Sequence, residues 1–318
     1  MQPLIINAAL TGMVPRKVDN PHVPIHSGEI IADARRCRDA GATILHLHAR
    51  ESDETPTYRR EVYAEILQGV REECPEVLIS ASCSGRLHNQ FEQRSQVLDL
   101  LPDLGSLTLG SLNFPGQASV NEPKMVQQLA AAMRERGIQP ELEIFDLGMV
   151  DYAHYLIDKG LVTTPCYANI LLGNLGTLAA TPDNLCAVVR ALPKGTVWAA
   201  TGVGRYQFFI NSLAVTMGGH VRVGLEDALY YDWTTRTPAT NAGLIDRVTR
   251  LARAAGREIS TAAQTHAALG ARSVHGDRRE SCVPERARGV GVGDSKSENP
   301  ELYPNSITAQ KSSDRRAA

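Results

Sequence analysis

The segment Thr43-Ile44-Leu45-His46-Leu47-His48 is a short apolar run that carries two histidines two positions apart. Because side chains alternate between the two faces of a strand, both histidines point to the same side. Seven further runs are similarly short and apolar, and segments with helical period lie between them. The eight predicted strands are Leu4–Ala9, Thr43–His48, Val77–Ser82, Ser106–Leu109, Glu141–Phe145, Tyr167–Leu172, Val197–Thr201 and Val221–Gly224.

The intervening helical segments begin with typical start signals. Ser27 is a possible cap ahead of the first of them, and Thr181-Pro182 predicts a cap followed by a first-turn proline. Eight strand–helix units in roughly 255 residues agree with a TIM barrel, for which about 250 is typical. A doubly wound sheet is the main alternative, but no glycine-rich dinucleotide turn follows the first strand. We therefore predict an α/β fold, a TIM (β/α)8 barrel.

Composition excludes several classes of partner. The 318 residues include 33 Lys and Arg against 35 Asp and Glu, a net charge of −2 that attracts neither nucleic acid nor an anionic membrane. No stretch approaches the roughly 18 apolar residues of a membrane span, and the N-terminus lacks the basic region of a signal peptide. The six cysteines form no C-x-x-C pair, as expected for thiols in a reducing compartment. These features predict a cytoplasmic protein.

The character of the chain changes near its end. In residues 273–318, 15 of 46 residues are charged, against 53 of the preceding 272, and large apolar side chains become sparse. Such a segment buries too little apolar surface to offset its ordering entropy. We therefore predict a catalytic barrel over residues 1–272 and a polar, mobile tail over residues 273–318. An arm that reaches a neighbouring subunit is the alternative.

Three residues form a candidate metal site. His46 and His48 lie at the carboxyl end of the second predicted strand, where TIM-barrel active sites form. Glu226 follows the eighth strand, which neighbours the first two once the barrel closes. Two histidines and one carboxylate suit a catalytic divalent metal with positions open to substrate. Histidines hydrogen-bonded in a polar barrel mouth, and a glutamate at an ordinary helix start, are the structural alternatives.

Other polar residues follow the strands that surround this site. Arg222 and Asp227 form a charge pair that can hold a carboxylate base ionised and aimed. Gly202, Gly204 and Arg205 follow the seventh strand, where barrel phosphate sites often form, although a tight turn with a surface arginine is an equal alternative. The end of the third strand, Ser80-Ala81-Ser82-Cys83-Ser84-Gly85, offers hydroxyls and backbone N–H groups for a carboxylate or an enolate.

These segments together resemble the β-keto acid cleavage enzymes, a family once catalogued only as one of unknown function. The resemblance spans about residues 3 to 270 and omits the tail. Its most specific part is the combination of H-x-H with a late glycine-rich R-x-G-x-E-D segment. The matching stretches are Leu4–Gly12, the Gly41-Ala42 turn with His46-Leu47-His48, Thr108–Phe114, Gly148-Met149-Val150, Gly202–Arg205 and Gly218–Asp227.

The resemblance implies a zinc-containing TIM barrel, one Zn2+ per subunit, assembled as a homotetramer. It implies His46, His48 and Glu226 as zinc ligands and Arg222 with Asp227 as the catalytic pair. It also implies that Ser82 and Ser106 help to hold the substrate. Members of the family condense a β-keto acid with acetyl-CoA and release acetoacetate and a new acyl-CoA, which makes them acyltransferases that cleave a carbon–carbon bond.

The chemistry implied by this resemblance proceeds through an enolate. Zinc acts as a Lewis acid on the keto oxygen, and Asp227, oriented by Arg222, removes a C2 proton. The enolate attacks acetyl-CoA, CoA is transferred to the former keto carbon, and a retro-Claisen step releases the products. Within this scheme Arg205 and its neighbouring glycines are a hypothesis for binding the CoA phosphates.

Two positions bear on the choice of keto acid. Members of the family that cleave 3-keto-5-aminohexanoate carry a glutamate where this chain has Val14, and an apolar side chain cannot neutralise a buried ammonium. The amino-bearing substrate is therefore predicted not to be preferred. Arg86 could meet a second carboxylate, as in a dicarboxylic keto acid. A solvated loop arginine is the alternative, and a short neutral or weakly polar β-keto acid is the favoured expectation.

Three other functions use the same residues. A zinc-dependent hydrolase on this barrel would activate water and need no CoA. An aldolase-type lyase would also act without CoA. A non-catalytic metal- or ligand-binding barrel is disfavoured because the three candidate ligands and the Arg222–Asp227 pair occur together.

Overall fold

Eight parallel strands close into a barrel in a computed structural model of the chain, which describes residues 1–87, 89–114 and 116–270. The predicted tail, residues 273–318, and its boundary after residue 272 lie outside these described residues. In the described part of the chain, no helix is both long and apolar enough to span a membrane.

The strands and helices alternate along the chain. The strands are β1 (Ile6–Ala9), β2 (Ile44–Leu47), β3 (Leu78–Ala81), β4 (Leu104–Thr108), β5 (Leu112–Phe114), β6 (Gln117–Ser119), β7 (Gln139–Ile144), β8 (Tyr167–Leu172), β9 (Val197–Gly202), β10 (His220–Val223), β11 (Tyr230–Asp232) and β12 (Thr237–Pro238). The α-helices are α1 (Ser27–Ala40), α2 (Arg60–Glu73), α3 (Phe91–Ser95), α4 (Pro123–Glu135), α5 (Leu147–Asp158), α6 (Pro182–Ala191), α7 (Gln207–Thr216), α8 (Asn241–Ala254) and α9 (Ala262–Leu269). Two 3-10 helices span Gln96–Leu100 and Gly204–Tyr206.

The barrel confirms the predicted fold. Its strand order is β1-β2-β3-β4-β7-β8-β9-β10, and β10 pairs with β1 to close the ring. All eight predicted runs form barrel strands, with ends that differ by at most two residues. Closure places β10 beside β1 and β1 beside β2, so the loop after β10 reaches the two histidines of β2.

The barrel interior is layered from apolar to polar. Its lower layer is apolar and is sealed from below by Leu269 of α9; its other members are Ile5, Ile44, Leu78, Leu104, Tyr167 and Ala199. Two residues further along each strand, the next inward side chains are polar and buried, and they include Asn7, His46, Ser80, Glu141, Asn169 and Arg222. A polar layer of this kind needs partners within the barrel, because a buried polar group without a hydrogen bond is costly.

The outward faces of the strands pack against the helices in the main apolar core. The proline-containing start of α6 is as predicted, since the Thr181 hydroxyl accepts a hydrogen bond from Asn184 N and Pro182 opens the helix. At α1 the capping residue is His26 rather than Ser27. The Glu29 carboxylate accepts hydrogen bonds from the backbone N–H groups of Ile25 and His26 there, which Ser27 cannot replace.

Two short hairpins follow barrel strands and were not predicted. The β5–β6 hairpin follows β4, and the β11–β12 hairpin follows β10. Their strands have two or three residues each, too few to show a clear alternation of apolar and polar positions. Both hairpins lie at the carboxyl end of the barrel, which is where they contribute walls to the cavity described below.

Candidate active site

His46, His48 and Glu226 lie together at the carboxyl end of the barrel. The Nε2 atoms of the two histidines are 3.2 Å apart. Glu226 places Oε1 at 3.3 Å from His48 Nε2 and Oε2 at 3.7 Å from His46 Nε2. One ligand atom from each residue lies within 4.8 Å of the other two, so the three can share one cation.

The turn that carries Glu226 is held against β1. Glu226 N donates to the carbonyl of Ala9, and the side chain of Asn241 accepts a hydrogen bond from Leu225 N. Gly224 is required at the start of this turn because a Cβ there would lie 2.0 Å from the carbonyl oxygen of Ala9. The R-x-G-x-E-D spacing therefore brings Glu226 to the histidines through close contact with β1.

The three residues fit a divalent metal. Both imidazoles turn a nitrogen towards the carboxylate, and two histidines with one carboxylate are a common catalytic donor set. Among the described residues Oε2 of Glu226 has no hydrogen-bond partner although it is buried, which leaves this oxygen available to a cation. The donor set does not distinguish zinc from manganese or iron.

Glu141 of β7 lies below the histidines and is completely buried. Its Oε2 atom accepts from His46 Nδ1 at 2.9 Å and also from the Ser80 hydroxyl. Asn7 and Asn169 donate to its other oxygen. With Nδ1 of His46 donating to Glu141, Nε2 is the ring nitrogen that faces Glu226, and it can serve as a metal ligand once it is deprotonated.

Arg222 pairs with carboxylates on several sides. It lies 3.0 Å from Asp227, 2.8 Å from Glu226 and 3.4 Å from Glu143 in its closest nitrogen–oxygen contacts. Nε and Nη2 both bond to the Asp227 carboxylate, which fixes the plane of that group. Thr108 donates its hydroxyl hydrogen to Glu143 at 2.6 Å.

Burial and charge shift the pKa values of these groups in opposite directions. Burial lowers the pKa of His48 to about 4 in spite of Glu226, so this imidazole is neutral at pH 7. Burial would also lower the pKa of His46, but Glu141 and Glu226 raise it to about 9. Burial raises the pKa of Asp227, Arg222 opposes the rise, and the Glu226 charge adds to it. A raised pKa makes Asp227 a stronger base than an exposed aspartate.

A cavity of about 380 Å³ opens onto this cluster. Its walls combine the polar mouth of the barrel with apolar side chains from the loops, including Phe114 of the first hairpin and Trp233 of the second. The predicted site residues that line it are Val14, His48, Ser82, Arg86, Gly204, Arg222, Glu226 and Asp227. Its size suits a small keto acid together with the reactive end of a thioester.

The remaining predicted residues lie behind the cavity wall or outside it. Ser106 is buried, and its hydroxyl accepts a hydrogen bond from Cys83 N. Gly85 packs on Arg94, since a Cβ there would lie 2.5 Å from the guanidinium, and Gly202 packs on the backbone of Tyr206. Arg205 is exposed and donates to the Tyr206 hydroxyl at 2.9 Å.

Sequence reasoning did not identify the two glutamates of β7. Glu141 and Glu143 alternate with Leu142 and Ile144 in the run Glu141–Phe145. This is the same alternation that marks His46 and His48 on β2, and it predicts two charged side chains on one strand face. Thr108 and Phe114 were also missed as cavity residues, although both lie in a stretch that carries the family resemblance.

Comparison with known proteins agrees with this architecture. The sequence model of a family described as beta-keto acid cleavage enzyme matches residues 3–270. A 3-keto-5-aminohexanoate cleavage enzyme of Fusobacterium nucleatum is 39% identical over 262 residues, which cover 82% of this chain and 95% of the relative. A 3-oxoadipate:acetyl-CoA acetyltransferase of Cupriavidus necator is 37% identical over 281 residues, which cover 87% of this chain and 98% of the relative.

Among solved structures, the apo structure of ObcA superposes with a TM-score of 0.69 at 21% sequence identity. The match covers 79% of this chain and 66% of that chain. At this identity the likeness supports the fold alone.

Proposed function

Since this chain belongs to the beta-keto acid cleavage enzyme family, we propose that it condenses a β-keto acid with acetyl-CoA and releases acetoacetate and a new acyl-CoA. The observation that carries this proposal is the convergence of two groups on one cavity. His48 and Glu226, with His46 directly behind them, form a metal-binding cluster, and the Arg222–Asp227 pair lies beside it. A Lewis acid next to a base is what enolisation of a ketone requires.

We propose Zn2+, one per subunit, as the cation held by His46, His48 and Glu226. When bound, it would polarise the keto oxygen of the substrate and make the C2 protons more acidic. The choice of zinc rests on the family. The donor set supports a divalent cation, as does the Glu226 oxygen that has no hydrogen-bond partner within the described residues.

Asp227 would accept a proton from C2 of the keto acid. Its two hydrogen bonds to Arg222 fix the carboxylate plane, and its buried position keeps water from competing for the proton. We propose that the Ser82 hydroxyl and the backbone N–H groups around Gly85 bind the substrate carboxylate. Ser106 stabilises that loop by accepting a hydrogen bond from Cys83 N.

The bonds balance across the reaction. Carbon C2 forms a bond to the acetyl carbonyl carbon and displaces CoA thiolate. The thiolate adds to C3, the former keto carbon, and the C2–C3 bond breaks. Acetoacetate leaves with the new acetyl group on C2, and Asp227 returns the proton to that carbon.

Acetyl-CoA would enter from the loop after β9. Gly204 lines the cavity, and its N–H donates to the Asp227 carbonyl. This hydrogen bond joins the loop to the turn that carries Glu226 and Asp227. We propose that Arg205, which is exposed beside it, contacts CoA phosphates, with Gly202 allowing the tight turn. An Arg205→Ala enzyme with an unchanged KM for acetyl-CoA would remove this part of the proposal.

The amino-bearing substrate is not expected to be the preferred one. Two relatives are named for 3-keto-5-aminohexanoate, but Val14 at the cavity wall offers no charge to an ammonium. We expect a higher KM for that acid than for its unaminated analogue. The reverse order of the two KM values would contradict this expectation.

The first experiment is acetoacetate formation by metal-loaded protein from a panel of β-keto acids, with and without acetyl-CoA. The panel contains amino, neutral, hydroxyl and dicarboxylic side chains. We expect turnover only with acetyl-CoA. Turnover at the same rate without acetyl-CoA would favour the hydrolase or the lyase. Inactivity of a protein that holds zinc would refute the transferase proposal. The predicted homotetramer and the cytoplasmic location stay predictions, and the molar mass in solution tests the first.

A further inference from the structure

Arg86 stands out among the arginines that surround the cavity. It lines the same cavity as Val14 and Glu226, and its guanidinium carbon lies 3.6 Å from the centroid of the Phe114 ring. Within the described residues Arg86 forms no ion pair, and its Nε is buried without a hydrogen-bond partner. A partly buried cation without an anion is costly unless a ligand supplies one.

Two other arginines near the metal-binding cluster are already satisfied. Arg222 is surrounded by four carboxylates, those of Glu141, Glu143, Glu226 and Asp227. The guanidinium of Arg50 donates to three backbone carbonyls, those of Gly12, Pro15 and Glu54. Arg86 is therefore the cation of this group that has donors left for a substrate.

The Arg86 side chain is held in a fixed place. Its guanidinium lies over the ring of Phe114, and that ring packs at 89° to the ring of Phe145 with the two centroids 5.9 Å apart. The carbonyl of Arg86 accepts a hydrogen bond from Gln117 on β6, so the residue is joined to the β5–β6 hairpin. Stacking through the face leaves the N–H groups at the edge free to bind a carboxylate as a fork.

From this arrangement we infer that Arg86 binds an anionic group at the distal end of the substrate side chain, so that the preferred substrate is a dicarboxylic β-keto acid. The inference rests on the proposed function and specifies its substrate class. Val14 agrees with it, because position 14 supplies no carboxylate to pair with an ammonium, whereas the Arg86 guanidinium on the same cavity wall attracts a carboxylate. This inference replaces the sequence-based expectation of a substrate with a neutral side chain, because Arg86 lines the cavity instead of lying in solvent.

Anions from three sources could meet Arg86: a distal carboxylate, the carboxylate next to C2 that every β-keto acid carries, and a phosphate of CoA. The test compares 3-oxoadipate with 3-oxohexanoate, which has the same chain length but ends in a methyl group. The enzymes are the wild type, Arg86→Met and Arg190→Met. Arg190 is an exposed residue of α6 that does not line the cavity, and it controls for the loss of one positive charge.

For the wild type we expect a higher kcat/KM with 3-oxoadipate than with 3-oxohexanoate. In Arg86→Met the value for 3-oxoadipate should fall by roughly 10- to 100-fold, as expected for the loss of a hydrogen bond between charged groups. The value for 3-oxohexanoate and the KM for acetyl-CoA should change less than about threefold, and Arg190→Met should match the wild type.

Two results would overturn the inference. An equal fall for both acids would assign Arg86 to the carboxylate that they share. A rise in the KM for acetyl-CoA with both acids would assign it to a CoA phosphate. Zinc content and melting temperature of each variant separate these effects from misfolding.

If no keto acid is turned over, that result refutes the proposed function but leaves the Arg86 subsite untested by kinetics. A binding measurement then tests the subsite directly. Calorimetry of metal-loaded protein with glutarate and with butyrate compares a diacid with a monoacid of nearly equal length. We expect the wild type to bind glutarate at least about tenfold more tightly than butyrate. Arg86→Met should bind the two acids equally tightly. Equal affinities in the wild type would refute the distal carboxylate subsite.

Discussion

Gly12 lies directly against the side chain of Glu226: a Cβ on residue 12 would be 2.5 Å from Glu226 Cγ and 3.0 Å from its Cβ. Gly12 has a φ of +65°, a left-handed conformation that glycine adopts freely. The close approach matters because Glu226 cannot retreat from a new methyl group without moving its carboxylate away from His46 and His48.

Gly12→Ala is therefore expected to weaken binding of the proposed zinc ion by about tenfold or more, while the fold is retained. Gly137→Ala is the matched control, since Gly137 has a φ of +67° and no atom of the described residues lies within 4 Å of the place its new methyl group would take. Both variants carry a backbone strain of roughly 1–2 kcal/mol. Zinc affinity is measured by competition with a chelator, and equal affinities in the two variants would contradict the role of the Gly12–Glu226 contact.

Glu141→Gln is expected to lower zinc affinity by roughly 10- to 100-fold, the usual effect of removing a carboxylate that orients a metal-binding histidine. Four donors converge on the two Glu141 oxygens, and an amide would turn an NH2 group towards two of them. Glu143→Gln is the control at the next inward position of β7, where the side chain bonds to Thr108 and Arg222 and, in the described part of the chain, to no histidine. Comparable losses of zinc from both variants would mean that charge, rather than the hydrogen bond to His46, sets the affinity.

Asp227→Asn is expected to slow proton removal from C2 by roughly 10²- to 10⁴-fold with zinc still bound. The direct measurement is deuterium incorporation at C2 of the keto acid in D2O without acetyl-CoA, followed by NMR. Asp19→Asn, which changes a second carboxylate of the cavity wall, is the control. Exchange at the wild-type rate in Asp227→Asn would assign the proton transfer to another group.

His220 predicts a pH dependence of stability that is independent of the metal ligands. Its Nδ1 accepts a hydrogen bond from Ile5 N, and burial together with the charge of Arg257 lowers its pKa to about 3 from the usual 6.5. The unfolded chain therefore binds the proton more readily. The contribution to stability is complete above pH 6.5 and is lost as the pH falls towards 3.

At pH 5 this loss amounts to about 2 kcal/mol relative to pH 8, at about 1.4 kcal/mol per pH unit. His220→Asn keeps an acceptor for Ile5 N but has no titrating group. Urea unfolding at both pH values should show that the stability difference between wild type and variant shifts by that amount in favour of the variant at pH 5. If the difference in unfolding free energy between wild type and variant is the same at both pH values, His220 does not change its protonation on unfolding, and the prediction is wrong.

Much of the fold could be predicted from local patterns. The eight strands follow from short apolar runs spaced by helical segments, and the shared face of His46 and His48 follows from the two-residue period of a strand. The two hairpins at the mouth could not be predicted, since their strands are too short to show a period. Ser27 was wrong as the cap of α1, because the decisive contact is made by Glu29 inside the helix.

The amino-acid sequence by itself determined the strand order along the chain, the residues on each strand face and the chemical types available for a metal site, because these depend on neighbours in the chain. Only the tertiary structure decided which of these residues meet. Glu141 reaches His46 from 95 positions away, and Arg86 meets Phe114 through a hairpin. Such contacts depend on barrel closure and on packing between distant strands, which bring together side chains that no local period relates.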